Sequence, residues 1–305
     1  MRVFVTGATG FIGGAVADAL LASGHTVTAL ARTERAAEAL HGRGFRVHRG
    51  DIEHAEGLRP AVEAADAVVH AAVGSAGAVR EADAEALRVI IDALAGRDAP
   101  LLLTSGLAVY LGCTRSVVDE RTPLDEAVPM QQPRIRLERQ ALRGAERGVR
   151  TVVLRPGHTY GHGRAGMFTR MQIDWAAHHR AGAYIGEGAV PYCAVHVDDL
   201  VAAYLLALDR APAGSLYNVV GCTIPTRGLA NAVSHAVGAG GRTVPMSLED
   251  ATRTWGPAAR LLARSPMVCA VRVCADLGWT PRAPTLTWEL VHGTLRRSDQ
   301  PDPYP

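Results

Sequence analysis

The stretch Val3-Phe4-Val5-Thr6-Gly7-Ala8-Thr9-Gly10-Phe11-Ile12-Gly13 decides how the rest of the chain is read. A short apolar run passes directly into a loop with glycine at 7, 10 and 13, and a helical stretch over 12–22 follows. Glycine at those places permits a tight turn, lets backbone N–H groups approach a ligand and lets the helix pack close to its strand. The helix N-terminus adds partial positive charge. Strand, glycine loop and helix in this order form a cradle for the pyrophosphate of a dinucleotide, with Gly7, Thr9, Gly10, Phe11, Ile12 and Gly13 as its candidate contacts. The spacing is Gly-x-x-Gly-x-x-Gly rather than Gly-x-Gly-x-x-Gly.

Outward from this loop the pattern repeats. Apolar runs at 26–31, 46–48, 67–70, 101–104 and 151–154 alternate with helical stretches near 34–41, 57–64, 82–96 and 134–147. The runs are continuously apolar, as parallel strands covered on both faces should be. Strand–helix alternation predicts an α/β fold, a doubly wound parallel sheet of Rossmann type with right-handed crossovers. Residues 1–156 are expected to form this core. Residues 157–305 are expected to be mainly a smaller C-terminal substrate-binding lobe, with some segments returning to the core. After Arg155-Pro156-Gly157 the rhythm breaks into a Gly/His-rich loop over 157–166, helices near 198–209 and 226–237, a strand at 216–219 and a Pro-rich end. The tail 298–305 is expected to fray. The lobe should lie across the C-terminal edge of the sheet, where such folds keep their ligands.

Composition narrows the function classes. Of 305 residues, 48% are hydrophobic and 20% charged, which excludes disorder and allows a full core. A net charge of +2 is too small for a nucleic-acid groove or an anionic membrane surface. No apolar run reaches the ~18 residues that span a bilayer, and the glycine loop starts too early to leave room for a signal peptide. The five cysteines (113, 193, 222, 269 and 274) form no Cys-x-x-Cys, so a reducing cytoplasm is expected. Twelve histidines include no His-Glu-x-x-His, and no metal site is expected. All 32 Lys+Arg residues are arginine, which excludes a Schiff base, a Walker-A lysine and any catalytic lysine. The oligomeric state stays open.

The second predicted strand ends Ala29-Leu30-Ala31-Arg32, where an NAD enzyme usually places an acid for the ribose 2′-hydroxyl. Arg32 and Arg35 instead offer planar donors for a 2′-phosphate, so NADP(H) is the expected cofactor. The alternative is that Glu34 holds an NAD ribose. Asp51 and Ile52 suit an adenine edge, and Ala71 and Ala72 suit close approach to a ribose.

Taken together, Gly7–Gly13, Gly50-Asp51, His70-Ala71-Ala72, Thr104-Ser105-Gly106-Leu107-Ala108-Val109-Tyr110, Leu154-Arg155-Pro156-Gly157, Val195-His196-Val197-Asp198-Asp199, Tyr217-Asn218-Val219 and Leu277-Gly278-Trp279 resemble the extended short-chain dehydrogenase/reductase family. The resemblance covers nearly the whole chain and implies nicotinamide contacts at Thr104, Pro156 and Gly157. It also implies a Ser/Thr and a Tyr-x-x-x-Lys, and here this sequence departs. Those places fall on Gly106 (with Ser105 beside it), Met130 and Arg134, counted back from Glu138. No tyrosine lies between Tyr110 and Tyr160.

Hydride addition to a ketone makes an alkoxide that needs a proton, and the family's tyrosine, of reference pKa ~10, normally gives it. Met130 has no proton to give and reads as a flat apolar substrate wall. Arg134 is a poor donor that can hold a ribose or an anion. Substitute donors are Ser105, His158 and Tyr110, with His158 having an ordinary pKa suited to acid–base work. Tyr160-x-x-x-Arg164 is a loop coincidence, and His196 reads as structural. Tyr110, Tyr160, Phe168, Met171, Trp175, Tyr184 and Tyr192 supply a candidate small-molecule pocket. Three functions fit: an NADPH-dependent ketoreductase, a non-catalytic dinucleotide sensor, or a sugar-nucleotide epimerase or dehydratase. The last needs the missing acid–base pair twice over. The expected reading is reduction of an aromatic, polyketide-like ketone whose own phenol supplies the proton. In this the chain resembles an atypical angucyclinone-type ketoreductase.

Overall fold

The computed structural model describes residues 1–73, 81–124 and 128–296. Its centre is a seven-stranded parallel sheet. The strands are β1 (Arg2–Thr6), β2 (Thr26–Ala31), β3 (Arg46–Arg49), β4 (Ala67–His70), β5 (Pro100–Thr104), β6 (Arg150–Pro156) and β7 (Ser215–Val219). Their order across the sheet is β7-β6-β5-β4-β1-β2-β3. The direction of winding reverses between β1 and β4, and a crevice opens there beyond the strand C-termini.

Alternation along the strands sorts the core into two layers, because successive side chains leave a strand on opposite faces. Val3, Val5, Val69, Leu102, Val152 and Leu154 share one buried cluster with Val16 and Leu20 of α1 (Phe11–Ala22), which also takes in Leu200 and Tyr204 from the helix Val197–Arg210. Phe4, Val68, Leu101, Leu103 and Val153 point the other way, onto Leu87, Ile90 and Leu94 of α2 (Glu81–Leu94) and Leu137 of α3 (Gln132–Arg143). Both faces of the central strands are therefore covered, which is why β1, β4, β5 and β6 carry unbroken apolar runs. β2 alternates half-buried and buried residues. The edge strand β3, Arg-Val-His-Arg, has no buried residue and is not the apolar run expected at 46–48.

Several boundaries differ from the sequence expectation for local reasons. The stretch near 57–64 is a 3-10 turn (Ile52–Leu58) followed by a short helix (Arg59–Glu63). Asp51 starts that turn by accepting from the Glu53 N–H. α3 begins two residues early, with Pro133 in its first turn, where a missing N–H costs nothing. α2 stops at Leu94, just before Gly96 adopts φ +72°. The tail 298–305 lies outside the described residues.

Beyond β6 the chain builds a second sheet. The strand Pro191–His196 pairs in parallel with His158–Gly161 and antiparallel with Cys222–Pro225. α4 (Met167–His179) and the helix Thr226–Ala236 pack on it around Ile173, Leu229 and Val233. β7 then returns to the edge of the central sheet. The short pair Val117–Val118 and Met267–Val268 ties the loop after β5 to the distal chain.

Candidate active site and dinucleotide cradle

The glycine loop is as tight as its composition demands. Gly7 sits at φ +77°, and a Cβ there would lie 2.7 Å from the Ala71 carbonyl. A Cβ on Gly13 would lie 2.4 Å from the Gly7 carbonyl oxygen. The Gly10 N–H donates to that oxygen at 2.9 Å. α1 has no side-chain cap and no acid in its first turn, so its N-terminal N–H groups remain available to an anion. Thr9 and Gly10 are exposed there, while Phe11 and Ile12 are half-buried. Ala71 and Ala72 close the other side, with the Ala72 N–H donating to Thr6 Oγ1 at 3.2 Å. This cradle, which any side chain on Gly7 or Gly13 would fill, fits a dinucleotide pyrophosphate.

Two arginines support the loop: Arg43, which the sequence reading did not single out, and Arg164, which it set aside as part of a loop coincidence. Arg43 donates to the carbonyls of Ala8 (3.1 Å) and Gly14 (3.0 Å) from behind. Arg164 reaches across from the second sheet to lie 4.6 Å over the Phe11 ring. At the adenine end, Arg32 is exposed beside Asp51, with 3.9 Å between Nε and the carboxylate, and Arg35 is exposed one turn on. Ile52 is buried beneath. The Glu34 carboxylate is engaged by Arg49 at 3.1 Å. Arg32→Ala is expected to weaken NADPH binding by ~1–3 kcal/mol more than NADH binding, the range for a lost charged hydrogen bond. Parallel fluorescence titrations with the two cofactors test it, and equal losses would remove Arg32 from the 2′-phosphate.

At the C-terminal ends of β5 and β6 the structure opens an inner chamber of about 190 Å³. Gly106, Leu107, Ala108 and Leu111 line one side, and Pro156, Gly157 and His158 the other. Phe168, Cys193, Leu262 and Val268 close it. An outer chamber of about 880 Å³ continues from it past Leu111, Pro191, Ser265 and Pro266. Thr104, the last residue of β5, bonds the Tyr204 hydroxyl at 2.6 Å, and the Gly157 N–H donates to the Val219 carbonyl at 2.9 Å.

The candidate acids fare differently from expectation. Ser105 is buried and its hydroxyl donates to Glu138, so it is not free for a substrate. Glu138 in turn takes a bidentate pair from Arg155, at 3.0 Å from Nε and 2.5 Å from the terminal nitrogen. Arg155 also donates to the Tyr110 hydroxyl at 2.7 Å. The Tyr110 proton faces the Asp119 carbonyl and Asn218 Oδ1, both at 2.9 Å. Tyr110 is thus a fully buried link in an ion-paired network, its phenol pushed up to about 12 by burial, and not a pocket wall.

Other expected substrate contacts are corrected too. Tyr160 is buried and donates to the Pro284 carbonyl at 2.8 Å. Trp175 stacks on His179 with ring centres 4.0 Å apart and lines neither chamber. Tyr192 lies one layer back, stacked on His158 at 4.0 Å with its hydroxyl on Thr169. Met130, expected as a substrate wall, is 61% exposed in a short 3-10 turn and lines neither chamber. Arg134 lies one turn before Glu138, half-buried. Desolvation holds its pKa below the ordinary value against the fields of Glu138 and Asp83.

His158 is the sequence-predicted candidate acid that reaches the chamber. Burial pulls its pKa down to about 4, so it meets a ligand as neutral imidazole, a hydrogen-bonding group rather than the acid its ordinary pKa suggested. His70, fully buried at the end of β4 on Thr6 Oγ1 (2.8 Å), is held at about 4 for the same reason. Such a group stays neutral in the folded chain while the unfolded chain takes up a proton below pH ~6.5. Stability should therefore fall as pH drops from ~6.5 to ~4, by ~3 kcal/mol through His70. Urea titrations across that window test it: His70→Gln should show the shallower pH dependence, and a slope equal to wild type would refute it.

Among the described residues no group of three or more His, Cys, Asp or Glu side chains converges on a possible metal site. No described helix is long and apolar enough to cross a membrane.

With the cradle, the winding reversal and the chamber in place, residues 3–220 match the model of the NAD dependent epimerase/dehydratase family. The chain belongs to that family. It is 32% identical over 296 residues to an uncharacterized protein of Schizosaccharomyces pombe, covering 95% of this chain and 98% of that one. It is 29% identical over 226 residues (71% and 67% of the two chains) to a 4-hydroxy-2-methyl-3-oxo-4-farnesyl-3,4-dihydroquinoline-1-oxide ketoreductase of Stigmatella aurantiaca. Among solved structures, the UDP-glucose 4-epimerase of Thermotoga maritima superposes with a TM-score of 0.77 at 20% identity over 96% of this chain and 97% of that one. The family thus includes reductases as well as epimerases, and fold alone does not choose between them.

Proposed function

We propose that this protein is an NADPH-dependent reductase of an apolar aromatic ketone, and that the alkoxide formed takes its proton from a phenol beside the carbonyl of the substrate itself. The observation that carries the proposal is the makeup of the inner chamber. Its walls are leucine, proline, valine, alanine, phenylalanine and glycine, and its protic side chains are those of His158, Cys193 and Ser265, with no tyrosine and no lysine. The chain's own residues divide the work simply. The glycine loop and Arg32 would hold the dinucleotide, which supplies the hydride when bound. Gly106, Pro156 and Gly157 line the chamber where a planar ring would lie. Neutral His158 offers a hydrogen bond to the carbonyl oxygen, and the apolar walls exclude water.

The proton balance then closes within the substrate. Hydride adds to the carbonyl carbon, the electron pair moves onto oxygen, and the oxygen takes the neighbouring phenolic proton. A phenol of pKa ~10 is a far stronger acid than an alcohol near water's ~15.7, so the transfer runs downhill. Placement in one molecule removes the entropic cost of bringing a donor in. The phenolate recovers a proton from solvent. The name of the Stigmatella ketoreductase places a 3-oxo group in a dihydroquinoline ring, which supports a fused-ring ketone as the substrate. The phenol rests on the chamber's lining and not on that name. A hexose would find few hydrogen-bonding partners in the inner chamber, which weighs against epimerisation. Incubation with NADPH and fused-ring hydroxyketones should consume cofactor in proportion to ketone. Tight NADPH binding with no turnover on any of them would favour a sensor instead.

A further inference from the structure

The outer chamber carries charge that the inner one lacks. Arg115 comes from the loop after β5, and Arg260 and Arg264 from the distal chain. About 150 residues separate them in sequence, and the pairing of Val117–Val118 with Met267–Val268 brings the two segments together. The register is held where the Met267 N–H donates to the Ser116 carbonyl at 2.9 Å. All three arginines are exposed, and among the described residues none has an acidic partner within 4.0 Å. Elsewhere on the surface Arg2, Arg43, Arg49, Arg59, Arg88 and Arg147 each reach an Asp or Glu, whereas Arg46, Arg136 and Arg170, like these three, reach none among the described residues. What distinguishes Arg115, Arg260 and Arg264 is that they line one cavity. Beyond the chamber, the Glu249 carboxylate is taken by Arg253 at 3.0 Å.

Resting on the reductase reading above, we propose that Arg115, Arg260 and Arg264 form a subsite for a carboxylate on the substrate, distant from the reacting carbonyl. A ligand whose ketone lies between Gly106 and His158 must lead outward past Leu111, Pro191 and Pro266, all apolar, before it reaches these cations. The matching molecule is amphiphilic: a flat apolar body with the ketone at one end and an acid at the other. Guanidinium groups recognise a carboxylate through paired parallel N–H donors, and three cations around one cavity, with no acidic partner among the described residues, attract an anion before contact is made. A nucleotide diphosphate is also anionic, but its sugar would have to occupy the apolar inner chamber.

The test measures binding, so it needs no turnover. Calorimetric titration with NADP⁺ present compares anthraquinone-2-carboxylate, its methyl ester and UDP on wild type and on Arg115→Gln/Arg260→Gln/Arg264→Gln. The expected result is that the acid binds wild type at least tenfold tighter than the ester or UDP. The triple variant should bring the acid to the ester's level, and Arg→Lys at the three sites should keep most of the preference. Equal binding of acid and ester, no binding of either, tighter binding of UDP, or a preference untouched by the glutamines would each overturn the subsite. If the acid preference holds but no hydroxyketone acid is reduced, the reductase reading fails while the anion subsite stands.

Discussion

Arg155→Met should destabilise the protein by ~3–5 kcal/mol, the cost of leaving a buried carboxylate without its partner. Arg155 and Glu138 are 4% and 2% exposed, and Glu138 depends on Arg155 for its bidentate pair. Removing the guanidinium also strips the Tyr110 oxygen of its donor and leaves Ser105 hydrogen-bonded to an uncompensated anion. The penalty comes from isolation of the charge rather than from loss of a strongly stabilising bond. The double variant Arg155→Met/Glu138→Gln should therefore recover a substantial part of the loss. Urea unfolding of the two singles and the double settles the matter; simple additivity would show that the two groups do not act as a pair.

Gly13→Ala sets two effects of opposite sign against each other. On helix propensity alone, alanine inside α1 would gain about 1 kcal/mol. The added Cβ, however, would sit 2.4 Å from the Gly7 carbonyl oxygen and 2.8 Å from its carbon, both backbone atoms that cannot swing aside. Steric exclusion wins, and the loop must move off its pyrophosphate geometry. NADPH affinity should fall at least ~100-fold, or about 2.7 kcal/mol, while the chain still folds. Unchanged affinity by fluorescence titration would mean that the loop is not the cofactor cradle.

The parts of this molecule governed by local pattern could be read before folding. The continuous apolar runs and the glycine triplet led to β1, α1 and the winding around them, because period and turn chemistry are local properties. The direction in which a large side chain faces is not local. Tyr110, Tyr160, Trp175 and Tyr192 have residue types that serve a ligand wall and a core equally well, and packing turned them inward or away. One signal was available and went unused: Arg155 interrupts the buried strand Thr151-Val152-Val153-Leu154-Arg155, and a charge there demands a buried acid, which Glu138 provides. Arg115, Arg260 and Arg264 left no trace in the sequence as a group, since long-range pairing, such as that of Val117–Val118 with Met267–Val268, unites their segments.

The proton source is the centre of the account, and one substrate pair tests it directly. Two fused-ring ketones are compared that differ only in whether the hydroxyl beside the carbonyl is free or methylated, with NADPH saturating and binding measured separately. Substrate assistance predicts that the methyl ether still binds but is reduced at least ~100-fold more slowly, since the barrier rises by ~1.4 kcal/mol for each tenfold. A methyl ether that binds as well and is reduced as fast as the free phenol would contradict the account and assign the proton to a protein group or to water.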